Sequence, residues 1–281
     1  MNRAGIVRVG FFLVIISSLP TSVAVAGQRG LSEAARNVQQ MVAHRGSSAD
    51  RPECTLASLR RAIETGATAT EVDVRRSKDG QLFILHDATL ERTTNGKGPV
   101  GEKTLVELKQ LDAGSWFDPK YKNERIPTLR EVLEASKGKI GVLLDLKEQG
   151  RDYAVQVTAE VKKYGEPKRT IVGVRSVEQA RLFRELLPGA SQLGLIPNPE
   201  SIEAFAQADV GTIRLWPRWL TDKTLVRRVR QQKVKLHLNG TSGSRKDIVP
   251  LLKFRPDSLS SDDPGRLVET LKQIRKKTPE K

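Results

Sequence analysis

Four short segments gather residues able to move protons and hold a cation: His44-Arg45-Gly46, Glu71-Val72-Asp73-Val74, His86-Asp87 and Asp145-Leu146-Lys147. Side chains alternate between the two faces of a strand. Glu71 and Asp73 therefore share a face, Val72 and Val74 point away, and Asp145 with Lys147 repeats the same spacing. Inward carboxylates repel and resist ionisation unless a cation neutralises them. With Asp145 as the third acid, the ligand set is hard oxygen throughout, which suits Mg²⁺ or Ca²⁺ better than a soft metal. Arg45 offers a planar fork for phosphate oxygens and Lys147 a compact charge. His44 and His86 could divide the proton work of phosphoryl transfer, one taking a proton from the nucleophile and the other giving one to the leaving alcohol. A lone histidine is more often structural. That reading is favoured for His237, the last of three histidines, which lies inside the alternation Lys235-Leu236-His237-Leu238.

These residues need a scaffold that brings strand ends together. Short β-branched runs alternate with helix-like stretches through most of the 281 residues. Strands are expected to start near residues 41, 69, 140, 170, 192, 212, 234 and 257, with helices between them. Thr128 after Pro127 is an N-cap signal for one of those helices. Eight strand–helix pairs predict an α/β fold, a closed (β/α)8 arrangement or TIM barrel, with the site on its C-terminal face. A doubly wound open sheet is the competing arrangement. The polar stretch over about 86–127, rich in Gly, Asn and Thr, reads as a small insertion between the second strand region and the second helix, and Gln81–Leu85 is counted with it. In Asn239-Gly240-Thr241-Ser242-Gly243-Ser244, an ordinary turn capped by Ser244 is favoured over a phosphate-binding loop.

The N-terminus reads differently. Arg3 and Arg8 precede the apolar run Val9–Leu19, and Ala24-Val25-Ala26 supplies a small-residue cleavage site. This predicts a Sec-type signal peptide over 1–26, export to the periplasm or outside the cell, and a catalytic domain over 27–281. The run is shorter than the roughly 18 apolar residues of a membrane span. Cys54 is the one cysteine, so no internal disulfide can form. A formal charge of +15, lowered by two on loss of Arg3 and Arg8, favours anionic partners such as phosphate esters or an anionic membrane surface. Aromatic residues are few and not interleaved with the basic ones, so no nucleic-acid partner is expected. Arg227-Arg228-Arg230 reads as a solvated helix face.

In order, the motifs His44-Arg45-Gly46, Pro52-Glu53-Cys54-Thr55, Glu71-Val72-Asp73-Val74, His86-Asp87, Arg92-Thr93-Thr94-Asn95-Gly96, Ile126-Pro127-Thr128-Leu129 and Ser261-Asp262-Asp263-Pro264 resemble those of the glycerophosphodiester phosphodiesterase (GDPD) family. The resemblance runs from about Met41 to the C-terminus. It implies a TIM barrel, an acid/base pair in His44 and His86, and metal ligands in Glu71, Asp73 and Asp145. It also implies that Arg45 and Lys147 hold the substrate phosphate, that Glu53 supports the site, and that the insertion covers the barrel mouth. The implied reaction is hydrolysis of a glycerophosphodiester to sn-glycerol 3-phosphate and an alcohol, with one divalent cation, Mg²⁺ or Ca²⁺. Attack by a neighbouring substrate hydroxyl and attack by water are both open.

Three departures stand out. Asp145 replaces the usual Glu. Cys54 replaces the Asn of Pro-Glu-Asn-Thr. Leu236-His237-Leu238-Asn239 replaces Trp-Thr-Val-Asn, which removes an aromatic from leaving-group recognition. Because venom-type sphingomyelinases D also place Lys two after Asp, a phospholipase D-like action on lysophospholipid or sphingomyelin is the second expectation. It predicts an apolar patch at the barrel mouth, for which Trp116, Phe117 and Tyr121 are the candidates. A catalytically silent phospholipid-binding barrel ranks third, because every expected acid and both histidines are present.

Overall fold

The computed structural model describes residues 21–276, so the basic start and apolar run expected of a signal peptide lie outside the described residues. Eight parallel strands close a barrel: β1 (Gln40–Ala43), β2 (Ala69–Arg76), β4 (Gly141–Leu146), β5 (Thr170–Val174), β6 (Ser191–Gly194), β7 (Thr212–Leu215), β8 (Lys235–Thr241) and β9 (Ser258–Ser261). Each pairs with the next in that order, and β1 closes the ring by pairing both β2 and β9. The expected strand starts agree to within two residues, and the barrel prevails over the open sheet. The segment near 82 is β3 (Leu82–Ile84), antiparallel to the upper end of β2 and outside the ring.

Alternation along the strands sorts the side chains. Val42, Ala69, Leu143, Ile171, Leu193 and Leu195 fill the barrel interior as an apolar plug. Their neighbours Val72, Val74, Leu144, Leu146, Val172, Ile213 and Leu215 face outward and join the main core against the helices. That shell contains α2 (Leu56–Glu64), α4 (Leu129–Ser136), α5 (Arg151–Tyr164), α6 (Val177–Leu186), α7 (Ile202–Gln207), α8 (Lys223–Gln231), α9 (Arg245–Leu252) and α10 (Pro264–Lys276). Thr55 and Thr128 cap α2 and α4 through their hydroxyls, satisfying backbone N–H groups that each first turn leaves free. Ser244 caps α9 in the same way, as the ordinary-turn reading of that loop requires.

One element was not expected. Helix α1 (Thr21–Asn37) begins before the expected cleavage site, so that site falls inside a helix. Its later part is held to the barrel: Ala34, Ala35 and Val38 are buried, and the Arg275 guanidinium donates to the carbonyls of Ala35 and Val38. The insertion carries α3 (Leu105–Gln110) and a small core of its own, in which Leu90, Val100, Leu108, Ala113 and Ile126 pack on Phe83 and Leu85. Arg228 and Arg230 pair with Glu203 and Asp257, consistent with a structural, solvated face. Among the described residues no helix is long and apolar enough to cross a membrane.

Candidate active site

The acids lie one layer above the apolar plug. On β2 the inward series is Ala69, Glu71, Asp73, and on β4 it ends at Asp145, directly opposite Asp73 in the register. One oxygen from each of Glu71, Asp73 and Asp145 lies within 4.8 Å of the others. The shorter Asp145 therefore still converges with its two partners. Glu71 and Asp73 are buried, and Asp145 is half-buried. Burial, reinforced by the charges of Asp73 and Asp145, pushes Glu71 up to about 8. Burial acts the same way on Asp145, but Lys147 and Arg175 outweigh it and hold that carboxyl below its ordinary range. The Lys147 ammonium sits 2.7 Å from Asp73 Oδ1 and 2.9 Å from Asp145 Oδ2. It balances two of the three acids and leaves Glu71 to the weaker help of His44 and of the N–H that Arg45 donates at 2.8 Å. Three converging carboxylates, one held neutral for want of charge, fit a hard divalent cation.

Both histidines are steered by carboxylates. His44 directly follows β1, where its backbone N–H bonds the Ser261 carbonyl, and its Nδ1 lies 2.7 Å from Asp262 Oδ1. Burial works against the imidazolium, but Asp262 and Glu71 raise the pKa of His44 above its ordinary value. His86 follows β3, with Nδ1 2.7 Å from Asp87 Oδ1. The Arg75 guanidinium grips the carbonyls of Leu85 and His86 and fixes the backbone there. Hydrogen bonds from Arg92 hold Asp87 well below the usual carboxylate range, aided by His86. Arg92 also forks onto Glu53 at 2.9 and 2.7 Å. An Nδ1–H donated to a carboxylate leaves Nε2 as the proton-handling atom, and His44 and His86 line one cleft of about 320 Å³.

The expected phosphate holders reach the same cleft but already have partners. Arg45 Nη1 donates to Glu53 Oε1 at 3.0 Å, and its Nε is 3.7 Å from Asp73 Oδ2. Glu53 thus ties Arg45 and Arg92 together, a bracing contact that gives physical content to its supporting role. Arg45 and Cys54 both have positive φ, at 56° and 57°, in a loop joined by the bond from Cys54 N–H to the Arg45 carbonyl. Such backbone is strained for these residue types and is common at functional sites. Gly46 has φ 80°, and a Cβ there would stand 2.8 Å from the Ser58 carbonyl carbon. Glycine lets the loop carrying His44 rest on α2. Cys54 is buried 3.4 Å from Asp73 Oδ2, and burial raises its pKa well above the ordinary thiol value. It is a packed, protonated residue.

Three cleft residues escaped the sequence reading, Arg175, Arg214 and Trp216, while Asp262, Asp87 and Asn239 stood in its motifs without a role assigned. Arg214 and Trp216 carried a signal, since they repeat the i, i+2 spacing of the acids at the end of β7. Trp216 is the aromatic that lines this cleft among the described residues, whereas Leu236, paired with outward-facing Ile213, lies in the outer core. His237 is buried with Nδ1 2.7 Å from Ser258 Oγ. Burial, with smaller contributions from Arg214 and His44, pushes it down to about 3, so it is a neutral packing histidine. Trp116, Phe117 and Tyr121 cluster edge to face within the insertion and do not line the cleft.

Comparison with known proteins places the chain. Residues 44–266 match the glycerophosphoryl diester phosphodiesterase family. A glycerophosphodiester phosphodiesterase of Caldanaerobacter subterraneus is 33% identical over 239 residues, covering 83% of this chain and 98% of that one. The Bacillus subtilis glycerophosphodiester phosphodiesterase is 41% identical over 130 residues, a match that spans 43% of this chain and 44% of that relative. Among solved structures, an Oleispira antarctica phosphodiesterase in complex with the product sn-glycerol-3-phosphate superposes with a TM-score of 0.73 at 26% identity, covering 85% of this chain and 99% of that one.

Proposed function

The chain belongs to the glycerophosphoryl diester phosphodiesterase family, and on that premise we propose that it hydrolyses glycerophosphodiesters to sn-glycerol 3-phosphate and an alcohol with His44 and His86 as its acid/base pair. One observation carries the reading: two carboxylate-steered histidines line a single cleft with Asp73 and Asp145, two of three converging carboxylates. Glu71, Asp73 and Asp145 would hold one divalent cation, Mg²⁺ or Ca²⁺, which when bound polarises the phosphodiester and neutralises charge as it develops. Arg45 and Lys147 orient the phosphoryl oxygens from the cleft wall. One imidazole Nε2 takes the proton of the attacking nucleophile, a substrate hydroxyl or water, and the other delivers a proton to the departing alcohol oxygen. Asp262 and Asp87 fix the two tautomers and keep each ring aimed. The product assignment is supported by the Oleispira relative, whose structure holds sn-glycerol-3-phosphate.

The test is an assay on glycerophosphocholine and lysophosphatidylcholine with Mg²⁺, with Ca²⁺ and with EDTA. The reading predicts sn-glycerol 3-phosphate from the first substrate, lost with EDTA. Turnover of lysophosphatidylcholine alone would replace it with the phospholipase D-like action. The N-terminal pattern supports export by a signal peptide. Mass spectrometry of the secreted chain should find Gly27 at its N-terminus, and an intact Met1 would contradict export by cleavage.

A further inference from the structure

Across the barrel from β2, the cleft wall carries a cation that the mechanism above does not use. On β7, Ile213 and Leu215 face the outer core, which turns Arg214 inward beside His237 of β8. Arg45, Lys147 and Arg175 each meet a carboxylate. Arg214 meets none among the described residues, and its Nε is buried without a hydrogen-bond partner. Its Cζ lies 4.0 Å from the centroid of Trp216, whose ring also meets Arg218 at 5.3 Å. Stacking on the indole fixes the plane of the guanidinium, and the side chain lines the cleft. Burial is the main influence lowering its pKa, to about 10, so it stays charged near neutral pH. A largely buried, unpaired charge is costly. It is retained where a ligand completes it, and the ligand must be an anion.

We propose that Arg214, held in plane by Trp216, is an oxyanion anchor of the cleft, receiving either a phosphoryl oxygen of the bound diester or a second anionic group carried by its alcohol. The arrangement also weighs against this face as a choline cage, because guanidinium groups already stack on the indole. This deepens the phosphodiesterase reading and rests on it for the substrate. The binding arm of the test needs no turnover, so failed hydrolysis and a failed anchor are separate results.

Inorganic phosphate and sn-glycerol 3-phosphate are titrated into the full chain and its R214Q variant, and kcat/KM is measured on glycerophosphoglycerol and glycerophosphoserine. Loss of a charged hydrogen bond predicts affinity and kcat/KM lower by about 10–100-fold in R214Q, with R214K recovering part of it. Equal losses on both substrates identify the phosphoryl oxygen as the group received. A loss confined to glycerophosphoserine identifies the anion on the alcohol. Trp216 is a positioning residue, so W216L should weaken phosphate binding in the natural chain and change nothing further in R214Q. The W216L and R214K chains carry the test if R214Q does not fold. Phosphate binding and both kcat/KM values within about threefold of the natural chain, a difference too small for a lost charged hydrogen bond, would overturn the proposal.

Discussion

If Glu71, Asp73 and Asp145 hold a cation as proposed, lowering the pH should release it, with Glu71 setting the midpoint. Burial and its two acidic neighbours push Glu71 up to about 8. Each cation bound below that pH must displace its proton. At pH 6, two units lower, roughly one Glu71 in a hundred is ionised. The apparent affinity should then lie about 100-fold below its high-pH plateau, or about 2.7 kcal/mol. Asp145 adds no step in this range, because Lys147 and Arg175 keep it ionised. Calorimetric titration with Mg²⁺ and Ca²⁺ from pH 6 to 9, in two buffers of different protonation enthalpy, reads both affinity and proton release. The affinity should rise about tenfold per pH unit between 6 and 8 and flatten above, with close to one proton released per cation at the acid end. Glu71→Gln should bind more weakly and lose the slope, because an amide has no proton to give up. A natural chain whose affinity is flat from pH 6 to 8, with no proton released, would refute this account of the site's charge balance.

Three further outcomes follow from particular contacts. Asp262→Asn, which removes the charge 2.7 Å from His44 Nδ1, should lower kcat about 10–100-fold and move the His44 limb of the pH–rate profile to lower pH, measurable by steady-state kinetics. Gly46→Ala would force a Cβ against Ser58 at positive φ, and denaturant unfolding should show a loss of about 2 kcal/mol or more together with weakened activity. His237 is held neutral, pushed down from an ordinary 6.5 to about 3. The unfolded chain therefore binds more protons than the folded one between those values, and this group's stability contribution is full above pH 6.5 and lost as the pH falls. His237→Gln should shrink the stability difference between pH 6.5 and pH 5 by roughly 1.5 kcal/mol, read from urea unfolding at the two pH values.

The barrel was legible because eight short apolar runs alternate with helix-like stretches, and in β2 the placement of Glu71 and Asp73 inward against Val72 and Val74 outward reads directly from spacing. Helix α1 was not legible, because its small residues carry no clear cap and its first turns overlap a convincing signal-peptide pattern. The candidate metal ligands and the two histidines were visible as residue types at strand ends. The carboxylates that steer those histidines were harder. Asp262 stands 218 positions from His44, and only closure of β9 onto β1 brings the two together. Arg214 displays the same spacing as the acids, but its significance is the absence of a carboxylate partner among the described residues, which is visible only in three dimensions. Lys147 was expected on a phosphate and is found bridging Asp73 and Asp145, a consequence of the register that sets those two strands side by side.

The central claim is that His44 and His86 do the proton work of phosphodiester hydrolysis in one cleft. The most direct measurement compares His44→Ala and His86→Ala with the natural chain in glycerophosphocholine turnover at saturating metal, with circular dichroism confirming an intact fold. The account predicts that each substitution alone lowers kcat by about 10²–10⁴-fold, the range typical of losing a positioned acid or base. Near-natural turnover in either folded variant would contradict it.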